Sequence, residues 1–313
     1  AKDLAGPIYW SSKNCTLKAI ISPYASQDSL KGTELAGIPL LKGAAAWRQH
    51  FGKPGNDDIF DLCVHYDIIN QLVAELGTIE AQNIVLPKPV ALAAAPLRAL
   101  LNLQKKYTMN MAVASQWHYS KITRQLATSA RQIKKKIAKV EIVFSQQYSR
   151  EQLQHYTPST ALLPHILQIL YSSGLHMLAP GHVRIEKATA TTLKLAYEKT
   201  KDQTPIEISL DMQSPKKERI ITIYTSDVAD PILVADFLAV FKDGKGVAWP
   251  SITYKGKKKI IKENNLQVML DSILNGFSDK ASYKNVLTLQ TYVPIAQHQV
   301  YLETMIRKKK SKN

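Results

Sequence analysis

This chain of 313 residues has little cysteine and no long apolar run. Its two cysteines, Cys15 and Cys63, have no paired spacing, which is typical of a reducing, cytoplasmic compartment and argues against a thiolate metal site. No hydrophobic stretch approaches the length of a membrane span, so no transmembrane helix is predicted. The first residues carry no apolar segment of the kind that signal peptides require, and we expect no secretion signal.

Several catalytic motifs are also missing. The sequence contains no Gly-x-Ser-x-Gly elbow, His-Glu-x-x-His pair, P-loop or EF-hand loop. Its eight histidines are scattered, and none lies at metal-ligand spacing from a carboxylate or a cysteine. These absences argue against the enzyme classes that such motifs identify, and no bound metal is predicted.

Positive charge is abundant. The formal net charge is +16, and much of it comes from three clusters of Lys and Arg, at residues 134–139, 255–259 and 307–312. No aromatic residues interleave with them at stacking intervals, and no nucleic-acid-binding signature accompanies them. We therefore interpret the clusters as solvated faces, the middle one on an exposed hairpin at 254–257. A nucleic-acid partner is not predicted, whereas an acidic surface or a phosphorylated ligand stays open.

The most informative segment is the apolar run at 84–90, which contains Lys88 between Pro87 and Pro89. An apolar run that is stopped by proline is typical of a buried strand in an α/β sheet. The two prolines fix the backbone around Lys88, which places the lysine on a stiff turn at the carboxyl end of the strand. Ligands of open α/β sheets bind at that edge. Lys88 is therefore either a functional amine or a surface lysine on a proline turn.

Strand and helix patterns alternate from residue 1 to residue 117. We predict strands at 17–22, 60–65, 84–88 and 109–115, and helices at 29–35, 45–51, 69–76 and 90–106. Alternation at this spacing predicts an α/β domain with a Rossmann-like parallel sheet and right-handed crossovers. We assign residues 1–117 to this domain.

The pattern changes from residue 118 onward. Helices are predicted at 122–137, 159–173, 265–277 and 282–306, and strands at 140–144, 182–186, 191–197, 206–212, 219–224 and 238–241. Strands with period two and short turns predict a large open mixed or antiparallel sheet, so we assign 118–313 to an α+β domain. Because alternating Ile, Leu and Val at 206–212 and 219–224 require a cover, we expect a homodimer or homotetramer that forms through this sheet.

This order of segments, together with three motifs, resembles the Gfo/Idh/MocA oxidoreductases, named for glucose-fructose oxidoreductase and inositol dehydrogenase. In that family the strand end reads Glu-Lys-Pro, and here it reads Pro-Lys-Pro at 87–89. Residues 114–119 are similar to the family's strand into the second domain. The segment at 161–165 is similar to its Asp-x-Gly-x-His motif, with the histidine kept as His165 and the aspartate replaced by Ala161. Gln168 stands where a second aspartate is common.

The resemblance covers nearly the whole chain and implies hydride transfer between NAD(P) and a sugar, a polyol, or a small cyclic imine or carbonyl compound. Lys88 would polarise or deprotonate the reacting group. His165 would be the second proton-transfer candidate, facing Lys88, although an apolar helix also accommodates a purely structural histidine. Since Ala161 lacks the usual carboxylate, Tyr156 or Tyr119 would have to substitute for it.

The family's dinucleotide fingerprint, Gly-x-Gly-x-x-Gly/Ala, is absent from the sequence. The chain begins inside what resembles the helix after this motif. We expect Ala1 at the last small position of the fingerprint, with one strand and turn of the native protein missing from this chain. The alternative is a protein that never had this unit and cannot hold a pyrophosphate.

The resemblance also implies cofactor and substrate contacts. Ser22 ends the second strand, where an acidic residue would pair with the ribose of NAD, and this favours NADP slightly over NAD. His65, after the next strand, either contacts the cofactor or caps the strand. One of Trp117 and His118 should face the cleft, because successive side chains of a strand alternate. The expected cofactor contacts are Ala1, Ser22, His65, Lys88 and Pro89, and the expected substrate contacts are Trp117, His118 and Tyr119.

Two functions therefore remain open. Lys88, Pro89 and His165 favour an NAD(P)-dependent oxidoreductase. Pro87, Ala161 and the absent fingerprint favour a protein of the same fold that has lost catalysis and acts as a ligand sensor or an assembly subunit.

Overall fold

A computed structural model describes residues 14–22, 26–178, 183–198, 204–238, 240–242 and 245–311. The chain groups into two units. The first runs to Ala114 and includes the later segment Met269–Val293, and the second consists of Ser115–Val268 and the chain from Pro294 on. The chain first passes from one unit to the other after Ala114, close to the predicted boundary at residue 117. The return of residues 269–293 to the first unit was not predicted.

The first unit is built on short parallel strands. Strands β1 (Ile20–Ile21) and β2 (Leu40–Leu41) pair with each other. Strands β3 (Ile59–Asp61), β4 (Asn83–Leu86) and β5 (Asn110–Val113) form a parallel sheet with β4 at its centre. Between them lie the helices α1 (Ala44–Phe51), α2 (Ile69–Thr78) and α3 (Ala94–Tyr107). This order confirms the predicted α/β arrangement with parallel strands.

Two predicted elements of the first unit were wrong in length or type. The predicted helix at 29–35 is a 3-10 turn at Gln27–Leu30, and Gly32, with φ of 74°, follows it in the left-handed region. The predicted strand at 60–65 ends at Asp61, and a second 3-10 helix follows at Tyr66–Ile68. By contrast, β4 is buried along its whole length, as its continuous apolar run predicts.

The segment at 114–119 is a helix, so its prediction as a strand was wrong. It forms α4 (Gln116–Tyr119), and α5 (Lys121–Ile133) begins directly after it. Strand β5 pairs with β4 only as far as Val113, opposite Leu86, so no ladder continues beyond that point. Ser120 then accepts a hydrogen bond from the Thr123 amide and caps α5, which directs the chain into helix.

The second unit contains three further helices, which lie in the chain between the first two strands of its large sheet. They are α6 (Arg150–His155), α7 (Pro158–Ala161) and α8 (Leu163–Ser173). The predicted helix at 159–173 is thus divided at Leu162. Pro164 lies in the first turn of α8, where its missing amide proton leaves no hydrogen bond unmade.

The strands of the second unit are β6 (Ile137–Ser145), β7 (Val183–Ala188), β8 (Thr192–Tyr197), β9 (Ile206–Asp211), β10 (Glu218–Thr225), β11 (Val228–Asp236), β12 (Val240–Lys242), β13 (Lys245–Ala248), β14 (Ser251–Tyr254) and β15 (Lys257–Ile260). Eight of them form one large sheet in the order β15-β14-β11-β10-β6-β9-β8-β7. Strands β12 and β13 form a separate antiparallel pair. Only the β6–β9 pair of the eight-stranded sheet is parallel, which confirms the predicted mixed sheet.

The alternating apolar residues of this sheet face the core of their own unit. On β9, Ile206, Ile208 and Leu210 are buried, and α5 packs against α8 and against strands of the same sheet. On the other face, the Lys139 ammonium lies 2.7 Å from Glu141 and 3.0 Å from Glu207. The apolar alternation therefore requires no partner chain, contrary to our expectation, and oligomerisation through this sheet stays a prediction.

The chain closes with α9 (Asn265–Ser278), α10 (Lys280–Tyr283) and α11 (Leu289–Lys310), so the single helix predicted at 282–306 is in fact two helices. No helix in the described part of the chain is long and apolar enough to cross a membrane.

The basic clusters occupy exposed positions that suit their charge. Lys134–Lys136 follows the end of α5, and residues 307–310 form the last turn of α11. Cations at the carboxyl end of a helix interact favourably with its dipole. The third cluster lies on β15, an edge strand with four exposed residues. The turn before it has Lys255 and Gly256 at φ of 48° and 76°, which confirms the predicted hairpin.

Candidate functional site

Lys88 follows the central strand of the parallel sheet. The ladder of β4 continues to Leu86, whose carbonyl accepts a hydrogen bond from the Ala114 amide at 2.8 Å. The chain then leaves the sheet at Pro87. Lys88 is half-buried, Pro89 is buried, and the peptide between them is cis. The structure thus places the lysine at the carboxyl edge of β4, as the sequence predicts.

His65 follows the neighbouring strand at the same edge. Asp61, the last residue of β3, pairs in register with Val85 of β4. The Nδ1 atom of His65 lies 3.0 Å from the Asp67 carboxylate, and its ring is 4.0 Å from that of Tyr66. His65 is also the residue that precedes the 3-10 helix Tyr66–Ile68. The His65 side chain makes no capping hydrogen bond to this helix. Its two expected roles, cofactor contact and cap of the strand, stay predictions.

Ser22 directly follows β1 and is half-buried. Its amide donates to the Leu41 carbonyl at 2.9 Å, so its position is fixed by the pairing of β1 with β2. The expected contact at Ala1 lies outside the described residues. Ser22, His65 and Lys88 supply a hydroxyl, an imidazole and an ammonium, and these groups suit the ribose and nicotinamide half of a dinucleotide.

The second unit contains a polar stripe on an otherwise apolar helix. His165, Gln168 and Ser172 lie on α8 at spacings of three and four residues, which places them on one face. Trp117 of α4 contacts this face: its indole Nε1 donates to His165 Nδ1 at 2.9 Å. The Trp117 side chain is only 1% exposed, and its ring packs edge-on against Phe237 at 5.1 Å.

His118 joins the other end of the stripe. Its Nδ1 lies 3.3 Å from the Ser172 hydroxyl, which also accepts from Gln168 Nε2 at 2.7 Å. The tautomer of His118 decides which of His118 and Ser172 donates in their contact. Burial, with a smaller effect of the Arg124 guanidinium, lowers the pKa of His118 to about 4, so the ring is neutral at physiological pH.

Ser172 was missed in the sequence, although its spacing from His165 and Gln168 along α8 is a usable signal. Gln168 is buried, and its Oε1 atom has no hydrogen-bond partner among the described residues. A donor group that enters this cluster could form a hydrogen bond to the Gln168 Oε1 atom.

The remaining expected contacts lie in different surroundings. Tyr119 is buried, and its carbonyl accepts from Arg124 Nη1 at 2.6 Å. Tyr156 follows α6 and is 40% exposed. Trp117 and Tyr119 are both core residues, and their contact with a substrate stays a prediction. His118 is the half-buried member of the three expected substrate contacts.

Comparison with known proteins finds similarity in fold alone. No family model and no curated protein matches the sequence. A 3-ketoreductase from Actinomadura kijaniata, solved with TDP-benzene and NADP, is similar with a TM-score of 0.70 and 9% identity, over 98% of this chain and 93% of that one.

Two further solved structures have the same arrangement. The super-repressor mutant of Gal80p from Saccharomyces cerevisiae is similar with a TM-score of 0.69 and 10% identity, over 97% of this chain and 92% of that one. The WlbA dehydrogenase from Thermus thermophilus, solved with NAD and UDP-GlcNAcA, is similar with a TM-score of 0.62 and 12% identity, over 92% and 87%. Enzymes and a repressor thus share one fold with this chain.

Proposed function

We propose that this chain, which has the two-domain fold of the Gfo/Idh/MocA oxidoreductases, is an NAD(P)-dependent oxidoreductase that acts on a sugar or a related hydroxyl or carbonyl compound. The observation that carries the proposal is the position of Lys88. A half-buried amine at the carboxyl edge of the central parallel strand lies where ligands of such sheets bind.

Lys88 suits the proton step of this chemistry. An ammonium at the reacting oxygen polarises a carbonyl, and the neutral amine accepts the proton of a hydroxyl. A nicotinamide bound at this edge would supply or take the hydride. The chain's own contribution is to hold the reacting carbon and to move one proton at the Lys88 Nζ atom.

The cofactor contacts that we propose are Ser22, His65, Lys88 and Pro89, at or just after the ends of β1, β3 and β4. NADP is favoured over NAD, because a hydroxyl at Ser22 tolerates a 2′-phosphate that a carboxylate would repel. The 3-ketoreductase structure contains NADP and the WlbA structure contains NAD, and this supports a nicotinamide cofactor without selecting one.

A second candidate function has its own support. Pro87 and Ala161 occupy the positions of two acidic residues in the family motifs, and the glycine fingerprint is absent from the sequence. Gal80p, whose super-repressor mutant is structurally similar, is evidence that the fold also serves regulation. In this alternative the chain binds a sugar or a nucleotide as a sensor or assembly subunit and performs no turnover.

Binding and turnover measured on the same full-length protein separate the two candidates. NADPH and NADH are titrated by fluorescence, and turnover is then assayed with a panel of nucleotide sugars, free sugars, polyols and cyclic imines. We expect cofactor binding together with turnover of at least one substrate. Cofactor or sugar binding without turnover across the panel would favour the sensor, and no cofactor binding at high micromolar concentration would overturn the oxidoreductase.

A further inference from the structure

We propose that Trp117 is a positioning residue that fixes His165 in a single tautomer, so that His165 serves as a hydrogen-bond donor and takes no part in proton transfer. The donor role toward a substrate rests on the proposed function. The tautomer rests only on the geometry of the second unit.

The hydrogen bond between the two rings determines where the imidazole proton lies. An indole nitrogen is a donor only, so the Nδ1 atom of His165, 2.9 Å away, must offer its lone pair. A neutral imidazole carries one proton, which is therefore on Nε2. His165 thus presents an N–H group through Nε2.

Trp117 cannot easily release this bond. Its side chain is 1% exposed, so no solvent reaches the indole to replace His165 as acceptor. Its ring lies perpendicular to that of Phe237, with an interplanar angle of 88°. Its carbonyl accepts from the Ser120 hydroxyl at 3.2 Å, in the same turn that caps α5. Packing and backbone therefore hold the indole N–H aimed at His165, and leaving that donor unpaired is unfavourable.

This arrangement excludes both usual proton-transfer roles. A general acid requires the imidazolium form, whose second proton on Nδ1 would point at the indole N–H. A general base requires an unprotonated Nε2. A neutral ring with an unprotonated Nε2 carries its proton on Nδ1, which again points at the indole N–H. Each state replaces a hydrogen bond by two opposed donors, one of them the buried indole N–H, in a partly buried site, which is unfavourable. The proton that the substrate gains or loses is then exchanged by Lys88, as in the proposed function.

The first test reads the tautomer directly and needs no activity. Nitrogen-15 NMR of histidine-labelled full-length protein is recorded for the wild type, and the His165 signals are identified by their loss in His165→Gln. We expect a protonated Nε2 and an unprotonated Nδ1 in the wild type, and a mixture of tautomers in Trp117→Phe. Trp47→Phe is the matched control, because Trp47 is also buried but lies in the first unit. A wild-type ring protonated on Nδ1, or unchanged His165 signals in Trp117→Phe, would overturn the proposal.

The second test separates donation from proton transfer. Gln at position 165 has an oxygen that accepts from Trp117 and an amide N–H that donates, but it does not titrate, whereas Leu has neither group. We expect His165→Gln to lose no more than about tenfold in kcat, and His165→Leu to lose on the order of 100-fold, the usual effect of removing one positioned donor. An equally large loss in the two folded variants would show that the imidazole moves a proton, and an equally small loss would show that His165 is not a donor to the substrate. If the wild type has the expected tautomer but no turnover with any substrate, the proposed function fails while the effect of Trp117 stands.

Discussion

Tyr197 and His298 are joined by a hydrogen bond of 2.7 Å between the phenol oxygen and the Nε2 atom. Burial raises the pKa of Tyr197, so the phenol keeps its proton. The tautomer of His298 decides which of the two atoms donates. Burial, with a smaller effect of His176, lowers the pKa of His298 to about 4. The pair thus holds a neutral histidine inside the second unit.

We predict that acid destabilises the protein through His298. The pKa of this histidine is lower in the folded chain than its ordinary value of 6.5. The unfolded state therefore binds the proton more readily, and the stability present at pH 7 is lost as the pH falls from about 6.5 toward 4. His298 alone should reduce the free energy of unfolding by about 2 kcal/mol between pH 7 and pH 5, measured by urea unfolding at each pH.

His298→Gln is the control, because its side-chain amide can accept from or donate to the Tyr197 hydroxyl but does not titrate. His118, whose pKa is also lowered to about 4, acts in the same direction and remains in both proteins. The variant should lose less stability than the wild type over this pH range. Identical pH dependence in the two proteins would contradict the assignment.

We predict that Lys88→Ala lowers turnover by orders of magnitude and leaves the melting temperature nearly unchanged. The amine is needed for the proton step, whereas a half-buried lysine at a strand end contributes little to the core. Steady-state kinetics and thermal unfolding measure the two effects. Lys105→Ala, on the exposed surface of α3, is the control for loss of one positive charge. Turnover of Lys88→Ala that equals the wild type would remove this lysine from the mechanism.

Ser22→Asp should shift the cofactor preference toward NADH. A carboxylate after β1 would repel the 2′-phosphate of NADPH and pair with the ribose hydroxyls of NADH. We expect the ratio of the two dissociation constants to change by about tenfold, roughly the effect of 1.4 kcal/mol of differential binding. Fluorescence titration with both cofactors measures the ratio. Ser22→Thr keeps the hydroxyl and should leave it near the wild-type value, and an unchanged ratio in the Asp variant would show that Ser22 does not contact the ribose.

Gly276→Ala should destabilise the first unit although it places a better helix former in α9. Propensity alone favours alanine by about 1 kcal/mol. However, a Cβ atom at position 276 would overlap the Cγ2 methyl of Val286, far inside normal contact. Overpacking of this kind costs about 1–3 kcal/mol, so we expect a net loss in urea unfolding.

The double variant Gly276→Ala with Val286→Ala tests that cause. Removing the valine methyl groups makes room for the new Cβ atom, so the two substitutions should be less destabilising together than the sum of their separate effects. Simple additivity would show that the contact between these residues is not what requires glycine.

The sequence predicted best those elements whose structure depends mainly on their own residues. The apolar run before Lys88 and the prolines around it were enough to predict a buried strand and a lysine at its carboxyl end. The strand at 114–119 was predicted from the family resemblance, whereas the helix there depends on where the pairing of β4 with β5 ends and on the Ser120 cap. The helices predicted at 265–277 and 282–306 gave no indication that residues 269–293 belong to the first unit.

The hydrogen bond from Trp117 to His165 was also beyond sequence reasoning. Both residues were selected as site candidates, but their separation of 48 positions gives no indication that one donates to the other. The helical spacing of His165, Gln168 and Ser172 was available, and it identifies the face that α4 contacts.

The lysines of β15 affect whether two molecules of this protein can pair through their edge strands. An edge strand presents unpaired backbone groups that can join to the same strand of another molecule. Here, such joining would bring Lys257, Lys258 and Lys259 of two chains into close opposition. At low ionic strength this repulsion keeps the edges apart, while high salt, with a Debye length of about 3 Å at 1 M, removes much of the barrier. Dilute buffer should therefore protect the protein from strand-by-strand aggregation better than concentrated salt.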